Sequence, residues 1–304
     1  MGDIVRWEKT IDDWSTVTSI SNTINVQAFE DLVKTTKYRA IIKSGVCLEV
    51  VSNETTVIVD EISIGGMIST SSENVCSGSN SGILKISDEI GDIVRWENTT
   101  NDWGTVNVIT NTTNTQNYIN LTEGTSYRAI IQSGTCLEAI STEATINVDP
   151  PSHGGILSKD TSVCLGNNSG DLILKNQIGD ILRWEFSTND FISSTTISNT
   201  EFIQSFSNLT ITTKYRAVVI SGVCITNNSN EVVITVNNLP TIGLKDSVKL
   251  CLHKTLFISS SKIEGSYDWN TGQTTQEIKI EKAGKYWIDV KNEDNCSNLS
   301  LIHI

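Results

Sequence analysis

The sequence is poor in several residue types, and each scarcity restricts what the protein can be. Aromatic residues make up 6% of the 304 positions, and there are three prolines and three histidines. With 22 basic against 35 acidic residues the formal net charge is −13, so a nucleic-acid partner, which requires a basic face, is not expected. No run of 18 apolar residues occurs, so we predict no membrane-spanning segment. The abundant residues are Ser, Thr, Asn, Val and Ile, a composition typical of β-rich proteins.

The chain repeats itself with a period of 88 or 89 residues. The peptide GDIVRWE at residues 2–8 recurs at 91–97 and, as GDILRWE, at 179–185. The triplet Tyr-Arg-Ala follows in the same register at residues 38–40, 127–129 and 215–217. Self-similarity at a fixed period indicates a repeat architecture. We predict four parts: a truncated first repeat without its N-terminal quarter (1–62), a second repeat (63–150), a third repeat (151–238) and a shorter terminal segment (239–304).

The apolar residues follow the period of a strand and not that of a helix. Val94 and Trp96 are expected on one face of a strand, with Arg95 and Glu97 on the other. About six to eight such short strands fit into each complete repeat, which indicates an antiparallel β-sandwich. The predicted fold is therefore all-β, a tandem array of antiparallel β-sandwich domains. The predicted core tryptophans are Trp7, Trp96 and Trp184.

Seven cysteines require an explanation because the number is odd. The two cysteines of each complete repeat are 60 residues apart, and this equal spacing predicts one structural disulfide per domain. The expected pairs are Cys76 with Cys136, Cys164 with Cys224, and Cys251 with Cys296. Pairing across domains would require separate cores to touch. Cys47 is expected to be unpaired by truncation, because its counterpart falls in the missing quarter of the first repeat.

Residues that could perform catalysis are few. The three histidines, His153, His253 and His303, lie in different settings and form no triad or zinc motif. The carboxylates Glu8, Glu97 and Glu185 occupy equivalent positions of three repeats, which is typical of surface residues paired with arginine on a structural strand. No nucleotide-binding or metallopeptidase motif is present. We therefore predict that the chain is not an enzyme and requires no cofactor.

Two features could bind a ligand. Aromatic rings follow an aspartate in equivalent polar segments, where they are either possible ligand-contact aromatics or lids over the repeat cores: Trp14, Trp103 and Phe191. The acidic and amide side chains around Asp12 and Asn101 would suit calcium, but their spacing matches no known calcium loop. We expect these segments to be solvated turns without a metal.

The order of the motifs resembles a known group of proteins. Val-Cys, Trp-Glu, Thr-x-Tyr-Arg-Ala and Ser-Gly-x-Cys follow one another as in the tandem immunoglobulin-like repeats of large secreted surface proteins of Bacteroidetes. The segments 269–272 and 284–288 are similar to the PKD-like modules that end such arrays. One departure is that Tyr127 lies nine residues before Cys136, whereas the corner tyrosine of antibody domains lies two before its cysteine.

The resemblance implies a location and a function. It implies a secreted or cell-surface adhesin-type protein, delivered by a type IX route, with its signal peptide outside this chain. We predict a non-catalytic segment that acts as an adhesive array or stalk, with an extracellular glycan or protein as its unidentified partner. The alternative is an accessory spacer or carbohydrate-binding module of a larger secreted hydrolase.

Overall fold

The computed structural model describes residues 2–251, 254–261 and 263–304, and the regular structure within these ranges consists of β-strands. His253 lies outside the described residues. Nowhere in the described part of the chain is there a helix with the length and apolarity needed to cross a membrane. The chain divides into two compact units, one that ends at Val148 and one that begins at Asp149.

The first repeat forms a single five-stranded sheet. Strands β1 and β3 are paired at its centre, β2 lies beside β1, and β4 and β5 pair with the two ends of β3. No second sheet covers this one among the described residues, so Trp7 is only half-buried and apolar side chains such as Val33 are exposed. The strands are β1 (Asp3–Thr10), β2 (Thr18–Ile20), β3 (Thr36–Lys43), β4 (Val50–Val51) and β5 (Thr55–Val57).

The second repeat is a complete sandwich of two sheets. Its strands are β6 (Met67–Thr70), β7 (Asn74–Cys76), β8 (Ser81–Ser87), β9 (Asp92–Thr99), β10 (Asn107–Ile109), β11 (Thr115–Ile119), β12 (Thr125–Gln132), β13 (Ala139–Ile140) and β14 (Ala144–Asp149). One sheet has the order β11-β8-β6 and the other β10-β9-β12-β14-β7, with β13 beside β12. The chain crosses between the sheets several times, as it does in immunoglobulin-like sandwiches.

The third repeat has the same topology. Its strands are β15 (Ile156–Leu157), β16 (Thr161–Cys164), β17 (Ser169–Lys175), β18 (Asp180–Ser187), β19 (Thr195–Ile197), β20 (Ile203–Ser207), β21 (Thr213–Ile220), β22 (Asn227–Asn228) and β23 (Val232–Asn237). One sheet is β15-β17-β20, and the other is β16-β23-β21-β18-β19, with β22 beside β21. The edge strand β16 runs parallel to β23, whereas the other pairs are antiparallel.

The terminal segment is a smaller sandwich. Its strands are β24 (Leu256–Ser259), β25 (Gly265–Trp269), β26 (Glu277–Ile280), β27 (Lys285–Asn292) and β28 (Ser297–His303). One sheet is β24-β26 and the other β25-β27-β28, and Ser247 forms a parallel bridge with His303. The chain as a whole is a tandem array of all-β, immunoglobulin-like domains.

A tryptophan lies at the centre of each complete sandwich. Trp96, Trp184 and Trp269 expose 1% of their surface or less, and each indole N–H donates to a backbone oxygen. The Trp96 ring packs among residues of both sheets, including Leu84 and Ile131. Burying the large ring while its single donor is paired explains why tryptophan suits this position.

The strand that carries this tryptophan departs from the simple alternation expected of it. The pairing of β9 with β12 shifts between Ile93 and Arg95, which is a β-bulge, and β1 and β18 have the same shift. The extra residue places Ile93 and Trp96 in the core and leaves Val94 exposed. The prediction that Val94 shares a face with Trp96 is therefore wrong, because a bulge changes the face on which the following residues lie.

The predicted disulfide pairs are also wrong. Cys164 is bonded to Cys296, while Cys136 and Cys251 are free thiols, as is Cys47. Cys76 and Cys224 are each disulfide-bonded.

The direction of the strands explains this result. Cys164 pairs with Asn237 at the end of β23, whereas Cys224 follows the far end of β21, whose first residue pairs with Ile234. The eight residues of β21 span about 25 Å. A disulfide requires α-carbons within about 7 Å, so the two cysteines of one repeat cannot bond.

Candidate functional site

A turn that ends in cysteine is the feature shared by all three repeats and the terminal segment. It follows the strands β3, β12, β21 and β27, and its fourth residue is the cysteine in each case. We call these the cysteine turns, residues 44–47, 133–136, 221–224 and 293–296. In the three repeats the backbone N–H of the cysteine donates to the backbone carbonyl oxygen of the serine that opens the turn, over 2.9 to 3.0 Å. The glycine at the second position has a φ near +50°, which favours glycine because it lacks a β-carbon.

The cysteine turn of the second repeat is held by the linker that precedes this repeat. Asp60 accepts a hydrogen bond from the Thr135 N–H at 3.1 Å, and Ser63 Oγ accepts one from the Ser133 N–H at 2.9 Å. The Cys136 thiol donates to the Glu61 carbonyl at 3.4 Å and lies 3.9 Å from the Asp60 carbonyl. Two backbone donors of the turn thus depend on side chains at the junction with the preceding repeat.

The same contacts recur in the unit that begins with Asp149. Its carboxylate accepts from the Val223 N–H at 3.0 Å, and Ser152 Oγ accepts from the Ser221 N–H at 2.8 Å. The sulfur of Cys224 lies 3.7 Å from the Asp149 carbonyl oxygen. We refer to this arrangement of a linker and the cysteine turn that follows it as a joint.

A third joint connects the third repeat to the terminal segment. The sulfur of Cys296 lies 4.0 Å from the Asn237 carbonyl oxygen, and Asn292 and Asn298 donate side-chain hydrogen bonds to linker carbonyls at 3.0 and 2.9 Å. Here the disulfide to Cys164 adds a covalent link, with an α-carbon separation of 5.5 Å. It closes a loop of 132 residues, which stabilises the folded chain by about 5 kcal/mol in the chain-entropy model.

An ion cluster covers the outer face of the larger sheet in each repeat. In the second repeat, Glu97 is buried and accepts hydrogen bonds from Arg95 and Arg128, both at 2.8 Å. Burial raises the pKa of Glu97, but the hydrogen bonds from the two guanidinium groups outweigh it and the pKa lies below its ordinary value. Glu8 and Glu185 have the same environment and the same direction of shift.

The predicted ligand-contact aromatics stack on this cluster. Trp14 lies over Arg39, Trp103 over Arg128 and Phe191 over Arg216, with 3.7 to 4.0 Å between the guanidinium carbon and the ring centre. Such cation–π contacts contribute about 0.5 to 1 kcal/mol at exposed sites. The suggestion that these rings cover the cores is wrong, because they lie on the outside of the sheet, above the ion cluster. One face of each half-buried ring is occupied by arginine.

The polar segments beside these rings are organised by hydrogen bonds. The Thr16 hydroxyl and N–H and the Thr10 hydroxyl donate to Asp12, and these bonds lower the pKa of Asp12 to about 2. Asn101 caps the corresponding turn in the second repeat. Within the described residues no group of three His, Cys, Asp or Glu side chains is placed to hold a metal ion.

The three repeats that carry these ion clusters match one family model. A family model described as a domain of unknown function (DUF8696) matches residues 1–61, 64–150 and 153–238. The chain belongs to this family. DUF8696 domains thus carry both the cysteine turn and the Arg-Glu-Arg cluster in this protein. No curated protein matches the chain.

Several solved structures resemble the chain at 13% sequence identity. One is of Dscam and concerns isoform specificity (TM-score 0.26, covering 94% of this chain and 84% of that one). Another contains fibronectin(III)-like modules of Clostridium thermocellum CbhA (TM-score 0.29, 57% and 95%), and a third the FN1–FN3 domains of chicken CNTN1 (TM-score 0.29, 80% and 100%). TM-scores this low carry no argument about function, and the strand order of the DUF8696 domains establishes their architecture.

Sequence reasoning missed the joints. A signal was present, because the cysteine lies four residues after the end of β3, β12, β21 and β27 alike. This shared offset groups Cys296 with the turn cysteines of the repeats, and not with Cys251 as its pair.

Proposed function

We propose that the chain is a non-catalytic stalk segment of a secreted or cell-surface repeat protein. The observation that carries this proposal is the Cys164–Cys296 disulfide, which links one domain to the next and not two strands of one core. A link of this kind restricts the motion of one domain against the other, which a spacer requires and an isolated sandwich does not. Disulfides persist mainly in oxidising compartments, which supports an extracellular location.

The linker contacts support the same function. Backbone N–H groups of the cysteine turns are satisfied by Asp60 and Ser63 at one joint and by Asp149 and Ser152 at another. If a joint opened, these donors would lose their partners, and each lost hydrogen bond to a charged acceptor would cost about 1.5 to 3 kcal/mol less any recovery from water. The linkers therefore act as fitted spacers and not as flexible tethers.

Small-angle X-ray scattering tests the stiffening. In the C164S/C296S variant we expect a broader distribution of interatomic distances than in the oxidised wild type, because one joint has lost its covalent link. The C47S variant is the matched control, since it removes a free, exposed thiol from a cysteine turn without removing a crosslink. Identical distance distributions for C164S/C296S and wild type would contradict a stiffening role. Sensitivity of the chain to protease added to intact producing cells tests its location.

An adhesive role is the second candidate, and one observation favours it. The aromatic–arginine stack recurs at the same place in three repeats, so a partner that binds it once could bind it three times with increased avidity. A glycan array tests this candidate and also the role of a carbohydrate-binding spacer in a larger hydrolase. Binding that is lost in W103A would support it. Binding that is unchanged in a W14A/W103A/F191A variant would exclude these rings as the contact.

A further inference from the structure

One of three equivalent surface sites lacks its lysine. In the first and third repeats a single lysine ammonium pairs with two carboxylates. These groups are Lys37 with Asp13 and Glu54, at 2.6 and 3.0 Å, and Lys214 with Asp190 and Glu231. The second repeat keeps the two carboxylates, as Asp102 and Glu143, but has Ser126 in place of the lysine. Two carboxylates thus remain where the other two repeats hold a cation.

Strand pairing establishes that the three sites are equivalent. Ser126 lies opposite the last residue of β9, and the two lysines lie opposite the last residues of β1 and β18. The glutamate of each site directly precedes the strand β5, β14 or β23. The aspartate lies in the turn after β1, β9 or β18 and has a positive φ, 52° at Asp13 and Asp102 and 61° at Asp190. The backbone therefore has the same course at all three sites, and the side chain at the lysine position distinguishes the second.

The second repeat provides no replacement for this lysine. Its basic residues are Lys85, Arg95 and Arg128. Lys85 lies on β8 in the opposite sheet, and the two arginines are paired within the ion cluster. Asp102 is exposed, and in the described part of the chain its side chain has no hydrogen bond or ion pair. A serine side chain at position 126 is too short to reach it.

Glu143 is charged but only partly compensated. It accepts hydrogen bonds from the Trp103 indole N–H at 2.8 Å and from the Thr145 hydroxyl at 3.3 Å. Hydrogen bonds, the largest effect coming from Ser126, lower the pKa of Glu143, so it is ionised at neutral pH. These donors are uncharged, and two carboxylates that share a site repel each other. An ammonium group from another molecule would remove this repulsion, as the lysine does in the other two repeats.

We propose that Asp102 and Glu143 form a binding site for the lysine side chain of a partner protein. Its ammonium group takes the place that a lysine of the same chain occupies in the first and third repeats. Calcium fits less well, because it takes about six to eight oxygen ligands and, within the described residues, no third acidic, histidine or cysteine side chain joins these two in a group that could hold a metal. An exposed ion pair is weak by itself, so the site sets the orientation of a partner more than its affinity. The proposal goes beyond the stalk function and does not depend on it.

A titration with Nα-acetyl-lysine methylamide, followed by NMR, tests the site. The Trp103 indole N–H donates to Glu143 and reports on the site directly. The Trp14 indole N–H donates to Glu54, whose lysine is in place, and is the matched control in the same spectrum. In the full-length protein with ¹⁵N-labelled tryptophan, we expect the Trp103 signal to shift roughly threefold more than the Trp14 signal, because Lys37 already pairs with Glu54. Nα-acetyl-norleucine methylamide at the same ionic strength, which lacks the ammonium group, should move neither signal.

Two variants make the result decisive. S126K supplies the lysine within the chain, so the response of Trp103 should be lost, whereas K37S removes it from the first repeat, so Trp14 should respond as Trp103 does. Equal shifts of the two signals in the wild type would overturn the proposal, and so would a Trp103 response that persists in S126K. A response to CaCl2 at the same concentration that equals the response to the lysine probe would overturn it as well, since the site would then prefer a metal. If S126K does not fold, K37S provides the same comparison. None of these outcomes involves the Cys164–Cys296 bond, so the lysine site can fail while the stalk function stands, and the reverse.

Discussion

Stretching the chain from its two ends measures how much of it the Cys164–Cys296 disulfide removes from the path of the force. Residues between the two cysteines cannot extend while the bond is intact, because the force passes through the two sulfur atoms. The separation is 132 residues, so the bond withholds roughly 440 to 475 Å of contour length. The measurement is made in a C76S/C224S background, so that the crosslinks of these two cysteines do not contribute.

Optical tweezers or atomic force microscopy provide the assay. Fully unfolded C76S/C224S chains are compared before and after the additional change C164S/C296S, and we expect the total contour length to increase by the amount above. A C136S change in the same background is the control, because it removes a free thiol from a cysteine turn and should leave the length unchanged. Equal lengths with and without Cys164 and Cys296 would refute the crosslink and the stalk proposal that rests on it.

Three further predictions concern the stability of the second repeat, one of them in comparison with the first, and hydrogen exchange of the amides of the substituted repeat measures each effect locally. E97Q should destabilise the second repeat by about 2 to 3 kcal/mol at neutral pH. The folded pKa of Glu97 lies below its ordinary value of 4.5, so the stability that its charge contributes is present above pH 4.5 and is lost as the pH falls through the folded pKa. E97Q should therefore flatten the acid side of the plot of stability against pH, and an unchanged plot would contradict this. W96A should lower the free energy of unfolding by about 3 to 5 kcal/mol. W7A in the first repeat should lower it by less, because Trp7 is only half-buried whereas Trp96 is fully buried. Equal losses of stability in the two variants would contradict this difference in packing. G65A should destabilise by about 1 to 3 kcal/mol, since a β-carbon there would lie 1.9 Å from a backbone oxygen, whereas G124A has 3.9 Å of room and should be close to neutral; if both were tolerated, the close approach at Gly65 would be refuted.

The fold could be predicted from the sequence because its determinants are local and recur. The alternation of apolar residues and the period of 88 or 89 residues both survive in the structure as strands in matching order. The bulge in β9 could not be predicted from the sequence, because a valine at position 94 is as compatible with a regular strand as with a bulge. The face on which each side chain lies is set by the pairing of β9 with β12. The stacking of Trp103 on Arg128 was hidden for a similar reason, since only the register of β9 and β12 brings the two arginines and Glu97 to one place.

The cysteines show how a periodic sequence can mislead. In an array of identical repeats, any pairing rule that holds in one repeat holds in the next, so the equal spacing of 60 residues cannot distinguish a bond within a repeat from a bond between neighbours. What distinguishes them is strand direction. Because β16 runs parallel to β23, its terminal Cys164 lies at the end where the chain leaves the repeat, opposite Asn237. A cysteine at that end faces the following domain, so its bond to Cys296 connects two domains and stiffens the array, as the proposed stalk requires.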